Sequence, residues 1–202
     1  MRARLYERLL GEAWNELDAP VRRLHERGTG PCGEGLFAVR GGNLFARGLA
    51  RLAGLPSDGE AVRVCLSVTH AEDGAAERWH RTFEGRVFDT LQREGTGRLL
   101  AERAGPFELL FRLSVESGAL VYTQAGAALR VGPLRVPLPR SLAPRVDARE
   151  GVADDGEGVL VRVSSRAPFV GLMLSYEGRL RVNVEGESGA SVEESHAGAT
   201  ET

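Results

Sequence analysis

Val62-Arg63-Val64-Cys65-Leu66-Ser67-Val68-Thr69 alternates apolar and polar side chains without a break. A period of two sends one set of side chains to each face of an extended strand, so this stretch reads as a half-buried β-strand. The same alternation returns at Phe107, Leu109, Phe111, Leu113 and Val115, at Val159, Val161 and Val163, and at Leu174, Tyr176, Leu180, Val182 and Val184. Clusters such as Glu72-Asp73-Gly74 and Asp154-Asp155-Gly156-Glu157-Gly158 separate these runs. Strands with one apolar face and short turns form an antiparallel meander rather than a βαβ sheet. The pattern predicts about eight strands over residues 61–184. The fold class expected is α+β, mainly β: a curved antiparallel sheet, or a barrel or half-barrel meander that would hide its edges.

Upstream, the period is helical. Leu5, Leu9, Leu10, Ala13, Trp14 and Leu17 recur at spacings of three and four, predicting a helix over about 4–17. Asp18 and Pro20 open a second helix, with Val21, Leu24 and His25 following. Asn43 is placed to cap a third, carrying Leu44, Phe45, Leu49, Leu52 and Ala53 and ended by Gly54 and Pro56. These helices are expected to pack against the sheet. Residues 1–184 form one domain on this reading. Residues 185–202 are small and acidic and bury too little apolar surface to offset chain entropy, predicting a disordered tail.

Composition closes several routes. All 26 basic residues are arginine, and with no lysine there is no side-chain Schiff base, pyridoxal-phosphate aldimine or P-loop lysine. The net charge of −2 lacks the basic excess of a phosphate-tracking protein, so no nucleic-acid partner is expected. No run approaches the roughly 18 apolar residues of a membrane span, and the charged N-terminus does not read as a signal peptide. Cys32 and Cys65, far apart, read as reduced core residues of a cytoplasmic protein. Gly28-Thr29-Gly30-Pro31-Cys32-Gly33 matches G-x-G-x-x-G, but a helix precedes it and a strand follows, the reverse of a dinucleotide site; it reads as a helix-to-strand loop. His25, His70, His80 and His196 show no metal-ligand spacing. Neither a cofactor nor a metal is expected.

Parity supplies the candidate site. Trp79, Arg81 and Phe83 share one face of their strand, so Arg81 is carried inward with two aromatic rings. Val146, Ala148 and Glu150 do the same for a carboxylate. A buried guanidinium needs a carboxylate or an anionic ligand. Three readings stay open: an Arg81–Glu150 type structural ion pair, Arg81 reaching a sheet edge, or a polar anchor in a ligand cavity. Tyr122 and Tyr176 lie on apolar strand faces where their hydroxyls need partners. Pro137, Pro139 and Pro144 make a rigid crossover or a flap over a cavity mouth.

The ordered series of landmarks resembles the DUF4166 family, a bacterial domain of unknown function. It comprises Leu5-Tyr6 with Leu9-Leu10-Gly11, Val21 through His25, Gly35 with Phe37 and Val39, and Glu77 through Trp79 with Arg81 and Phe83. Glu102-Arg103 with Gly105-Pro106, the Pro137–Pro144 stretch, Ala148 with Glu150, Gly171, and Tyr176 with Gly178 complete it. The resemblance spans about 5–184 and implies a shared fold, but no reaction. Polar positions matching the family are His25, Trp79, Arg81, Pro139, Arg140, Glu150 and Tyr176. Some members are fused behind a domain resembling saccharopine dehydrogenase, which implies a separate oxidoreductase as a partner here.

The function expected first is a small-molecule or lipid-binding module with an apolar cavity, its polar contacts drawn from His25, Trp79, Arg81, Tyr122, Arg140, Glu150 and Tyr176. A cofactor-independent cyclase or isomerase on an apolar substrate is the second reading, with Glu150 or His25 as acid/base group. An accessory partner of an oxidoreductase is the third.

Overall fold

The computed structural model describes residues 4–26, 30–52, 56–71 and 75–182, without the side chains of residues 31, 32 and 49–52. The acidic tail, Gly28 and Gly54 lie outside the described residues. The chain runs α1 (Leu5–Leu10), a 3-10 helix (Gly11–Glu16), α2 (Ala19–Glu26), β1 (Gly30–Gly41), α3 (Leu44–Leu52), β2 (Gly59–His70) and β3 (Ala76–Phe83). It continues through β4 (Arg86–Glu94), β5 (Leu100–Ala104), β6 (Phe107–Glu116), β7 (Ala119–Val131), β8 (Leu134–Pro137), β9 (Arg145–Val152), β10 (Val159–Ala167) and β11 (Gly171–Val182).

Each strand from β1 to β7 pairs antiparallel with the next, β7 pairs with β9, and β9, β10 and β11 lead back to β1. The result is a closed ten-stranded antiparallel barrel, with β8 attached only to the far half of β7. The sequence left open whether the curved sheet closes; the structure closes it. The closing strand is β1, which already begins at Gly30, inside the stretch read as a loop. Its seam with β11 depends on two glycines. A Cβ on Gly35 would fall on the Arg179 carbonyl oxygen, and one on Gly178 would fall on the Phe37 ring. Close backbone approach of this kind is where glycine belongs in a strand.

Gly11 (φ +60°) lies in the left-handed region and ends α1, so the helix expected over 4–17 splits into an α-helix and a 3-10 helix. Asn43 caps α3 as expected: the Ala46 N–H donates to Asn43 Oδ1 at 2.9 Å. Leu44 and Phe45, assigned to that helix's apolar stripe, are nevertheless exposed, and Ala46 is the buried residue of its first turn. Cys65 is also exposed, against the expectation of a core thiol: its strand parity opposes that of Val64 and Leu66.

Antiparallel succession puts the connections alternately at two ends of the barrel. The β2–β3, β4–β5, β6–β7 and β9–β10 turns lie at one end, which the α1–α2 segment plugs: Leu5, Tyr6, Leu9, Trp14, Leu17, Val21 and Leu24 join the barrel's core cluster. At the other end are α3, the β3–β4, β5–β6 and β10–β11 turns, and the β7–β9 connection carrying β8. The proline-rich segment belongs to this open end. Where β7 and β9 part, Gln124 bridges them, its Nε2 donating to the Pro144 carbonyl (2.8 Å) and its Oε1 accepting from the Val146 N–H (2.7 Å).

Candidate functional site

Eight strands give a barrel just wide enough for side chains to fill; ten leave space. A cavity of about 540 Å³ occupies the interior, lined chiefly by inward-facing apolar residues of the strands, among them Phe37, Leu66, Phe83, Phe111, Val161 and Leu174. Into it project Trp79, Arg81, Thr90, Gln92, Glu102, Tyr122, Glu150 and Tyr176.

The polar groups form two sets. At the plugged end, His25 Nε2 donates to Glu150 Oε2 at 2.6 Å, and the Tyr122 hydroxyl donates to Glu150 Oε1 at 3.0 Å. The Tyr6 hydroxyl, 3.3 Å from that of Tyr122, donates to Gln92 Oε1 at 2.7 Å, and Gln92 Nε2 donates to Glu102 at 3.2 Å. The His25 ring lies 3.9 Å from the Tyr6 ring and 5.4 Å from that of Trp79 (centroid to centroid). Its Nδ1 is buried with no hydrogen-bond partner among the described residues. Burial alone would raise the Glu150 carboxyl, but the charge and hydrogen bond of His25, with the Tyr122 hydroxyl and the Arg81 guanidinium, hold it below the usual carboxylate value. Burial, with Glu150 adding to it, pushes Tyr6 and Tyr122 far above the ordinary phenol value, so both hydroxyls remain donors.

The second set is Arg81 and Tyr176. Arg81 lies over the Trp79 ring, 5.1 Å from its centroid, and its Nη1 donates to Thr90 Oγ1 at 3.0 Å. Its carboxylate neighbour is Glu102 at 3.9 Å, a loose contact that leaves the guanidinium's donors largely free. Burial opposes the charge on Arg81, but Tyr176, Glu102 and Glu150 around it raise its pKa. Tyr176 packs edge-on to Phe37 and Phe83, and burial pushes its hydroxyl up to about 12. That hydroxyl has no hydrogen-bond partner among the described residues.

Of the residues singled out in the sequence, Trp79, Arg81, Tyr122, Glu150 and Tyr176 line one cavity. His25 sits behind Glu150, its side chain fully enclosed, and meets the cavity only through that carboxylate. Arg140 is exposed on the proline-rich connection, where Leu142 and Pro144 turn inward instead. The expected Arg81–Glu150 ion pair is replaced by two others, because His25 on the plugging helix claims Glu150 and leaves Arg81 to Glu102. Tyr6, Thr90, Gln92 and Glu102 were not legible as site residues. The inward face of β4 reads Phe88, Thr90, Gln92, and polar side chains there erase the alternation that marks a half-buried strand.

The chain matches a family model, the domain of unknown function DUF4166, over residues 17–180. The chain belongs to the DUF4166 family. No curated protein and no solved structure matches it. The matched region of this DUF4166 chain holds every strand of the closed barrel except the last two residues of β11, together with α2, but it begins after α1 and Tyr6.

Proposed function

We propose that this DUF4166 domain binds an apolar small molecule or lipid inside the barrel, with an oxygen-bearing end of the ligand met by Arg81 and Tyr176. The observation that carries the reading is a guanidinium and an unpartnered phenol on the wall of an otherwise apolar cavity of about 540 Å³. That size falls within the range of about 300–1,000 Å³ typical of ligand pockets. A guanidinium whose donors are only partly met by Thr90 and Glu102, beside a phenol with no acceptor, strengthens the binding of a carboxylate, carbonyl or hydroxyl oxygen placed between them. Both Glu150 carboxylate oxygens are already met, by His25 and Tyr122, so this group serves as the floor.

Trp79 lies in the cavity wall, so its fluorescence reports occupancy. Native mass spectrometry of freshly purified protein, followed by titration with oleic acid and oleyl alcohol, tests the reading. Arg81→Met and Tyr176→Phe are each expected to weaken binding of the acid about tenfold or more, as loss of a charge-assisted hydrogen bond worth about 1.5–3 kcal/mol implies. Tyr176→Phe should leave melting almost unchanged, because the hydroxyl it removes has no hydrogen-bond partner among the described residues, whereas Arg81→Met also gives up the Thr90 bond and the Glu102 contact and should melt lower. An unliganded mass combined with no binding of either probe by the wild type would sink the proposal.

A second reading, a cofactor-independent cyclase or isomerase, is favoured by one feature: a carboxylate in the cavity wall hydrogen-bonded to a buried histidine, a pair through which a proton can be held and passed. On that reading Glu150→Gln retains the bound ligand but stops its conversion, as mass spectrometry of the recovered ligand would reveal.

A further inference from the structure

The open end of the barrel has a surface unlike the rest of the molecule. Leu44 and Phe45 at the start of α3, Val87 beyond the β3–β4 turn, Leu134 and Leu142 in the β7–β9 connection, and Phe169 in the β10–β11 turn are between 52% and 95% exposed. At the plugged end, among the described residues, the one exposed large apolar side chain is Val152, at 37%. Val87 and Leu142 also line the cavity, so the apolar rim runs continuously into its mouth.

The same rim is basic, although the chain as a whole carries a net charge of −2. Arg86, Arg140, Arg145 and Arg166 are exposed there, with no carboxylate partner among the described residues. Arg145 and Arg166 stand directly opposite each other across the β9–β10 ladder. Like charges facing across a ladder repel, and an anion between them relieves the cost. Elsewhere the facing arginines are neutralised: Arg149 and Arg162, opposite each other on the same two strands, pair with Glu116 and Glu177, and Arg130 and Arg135 share Glu108. Asp58 is occupied by Arg47, which leaves Glu60, Glu84 and, two residues along β9 from Arg145, Asp147 as the carboxylates of this end without an ion pair among the described residues.

We propose that this rim docks on an anionic phospholipid bilayer. Leu44, Phe45 and Phe169 enter the boundary between headgroups and acyl chains, and the arginines, led by the Arg145–Arg166 pair, meet the lipid phosphates. Apolar side chains beside unpaired basic ones are the combination an interfacial surface uses. Docked in this way, the cavity mouth faces the membrane, and an apolar ligand passes between bilayer and barrel without crossing water. That transfer rests on the cavity reading above; the docking itself stands on the surface alone.

Co-sedimentation of the full chain with phosphatidylcholine vesicles, with and without phosphatidylglycerol, tests it. Binding is expected only where phosphatidylglycerol is present, and should weaken as salt is raised. Arg145→Glu combined with Arg166→Glu should reduce it about tenfold or more, at about fivefold per basic residue. Phe169→Ser with Leu44→Ser should also reduce it, whereas Leu36→Ser, on an exposed site along β1 away from either end, should not. These variants leave the cavity wall intact, so oleic acid binding in solution should be unchanged. Absence of binding to either vesicle, or binding indifferent to both rim variants, overturns the proposal. So does retention of an RNA or acidic protein that anionic vesicles fail to displace. Wild-type protein that binds oleate but neither vesicle refutes the membrane surface alone, and wild-type protein that docks on vesicles without binding oleate refutes the cavity reading alone.

Discussion

Glu150 sits where three parts of the molecule meet: β9 carries it inward, His25 reaches it from α2, and Tyr122 reaches it from β7. Removing one member of such a buried group leaves the others unpaired, which costs more than a surface ion pair ever contributes. Glu150→Gln should lower stability by about 3 kcal/mol at neutral pH, measured by urea unfolding. The carboxyl is held below its unfolded value of 4.5, so its contribution is full above that pH and fades as pH falls through the lower folded value. The gap between wild type and variant should therefore narrow in acid; a gap that stays constant would contradict the assigned ionisation. Strand parity alone carried Arg81, Tyr122, Glu150 and Tyr176 inward, since alternation is a local property. It was silent on which donor meets which carboxylate, because partners more than a hundred residues apart, such as His25 and Glu150, meet only through the closure of the barrel.

β8 pairs with one half of one strand, and its burial pattern is exposed throughout, so packing alone does little to hold it. Glu108 of β6 fastens it. Its carboxylate, almost fully enclosed, accepts from Arg135 of β8 at 2.5 Å and from Arg130 of β7 and Arg93 of β4 at 2.7 and 3.1 Å. Burial works against the charge, but these three guanidiniums prevail and bring the Glu108 carboxyl down to about 2. Glu108→Gln should cost about 2 kcal/mol at pH 7 and raise hydrogen exchange along β8. Because the folded value lies below the unfolded 4.5, the cost should diminish as pH drops from 4.5 toward 2. Elements were legible to different degrees. β2, β6, β10 and β11 announce themselves by alternation. β4 and β5 do not, since their inward faces carry Thr90, Gln92 and Glu102 toward the cavity. In β1 the glycines that let β11 approach are the same residues that resemble a loop.

For the molecule as a whole, the helical plug and the barrel share one core: Tyr6 is fully buried, and its ring packs against His25, Trp79 and Tyr122. They should unfold together. Near-ultraviolet and far-ultraviolet circular dichroism are expected to trace coincident transitions, and Tyr6→Ala should shift both by about 3–5 kcal/mol; an early transition confined to the helices would show the plug to be a separate unit. Sequence alone was enough for the antiparallel β character, the capped third helix and the inward turn of Arg81 and Glu150. Each follows from interactions within one strand or one helical turn, where side-chain periodicity and capping act over a few residues. Barrel closure, the exchange of ion-pair partners, the cavity and its basic, apolar mouth exist only once β1 meets β11. Those features join segments distant along the chain, and no local pattern encodes which of them become neighbours.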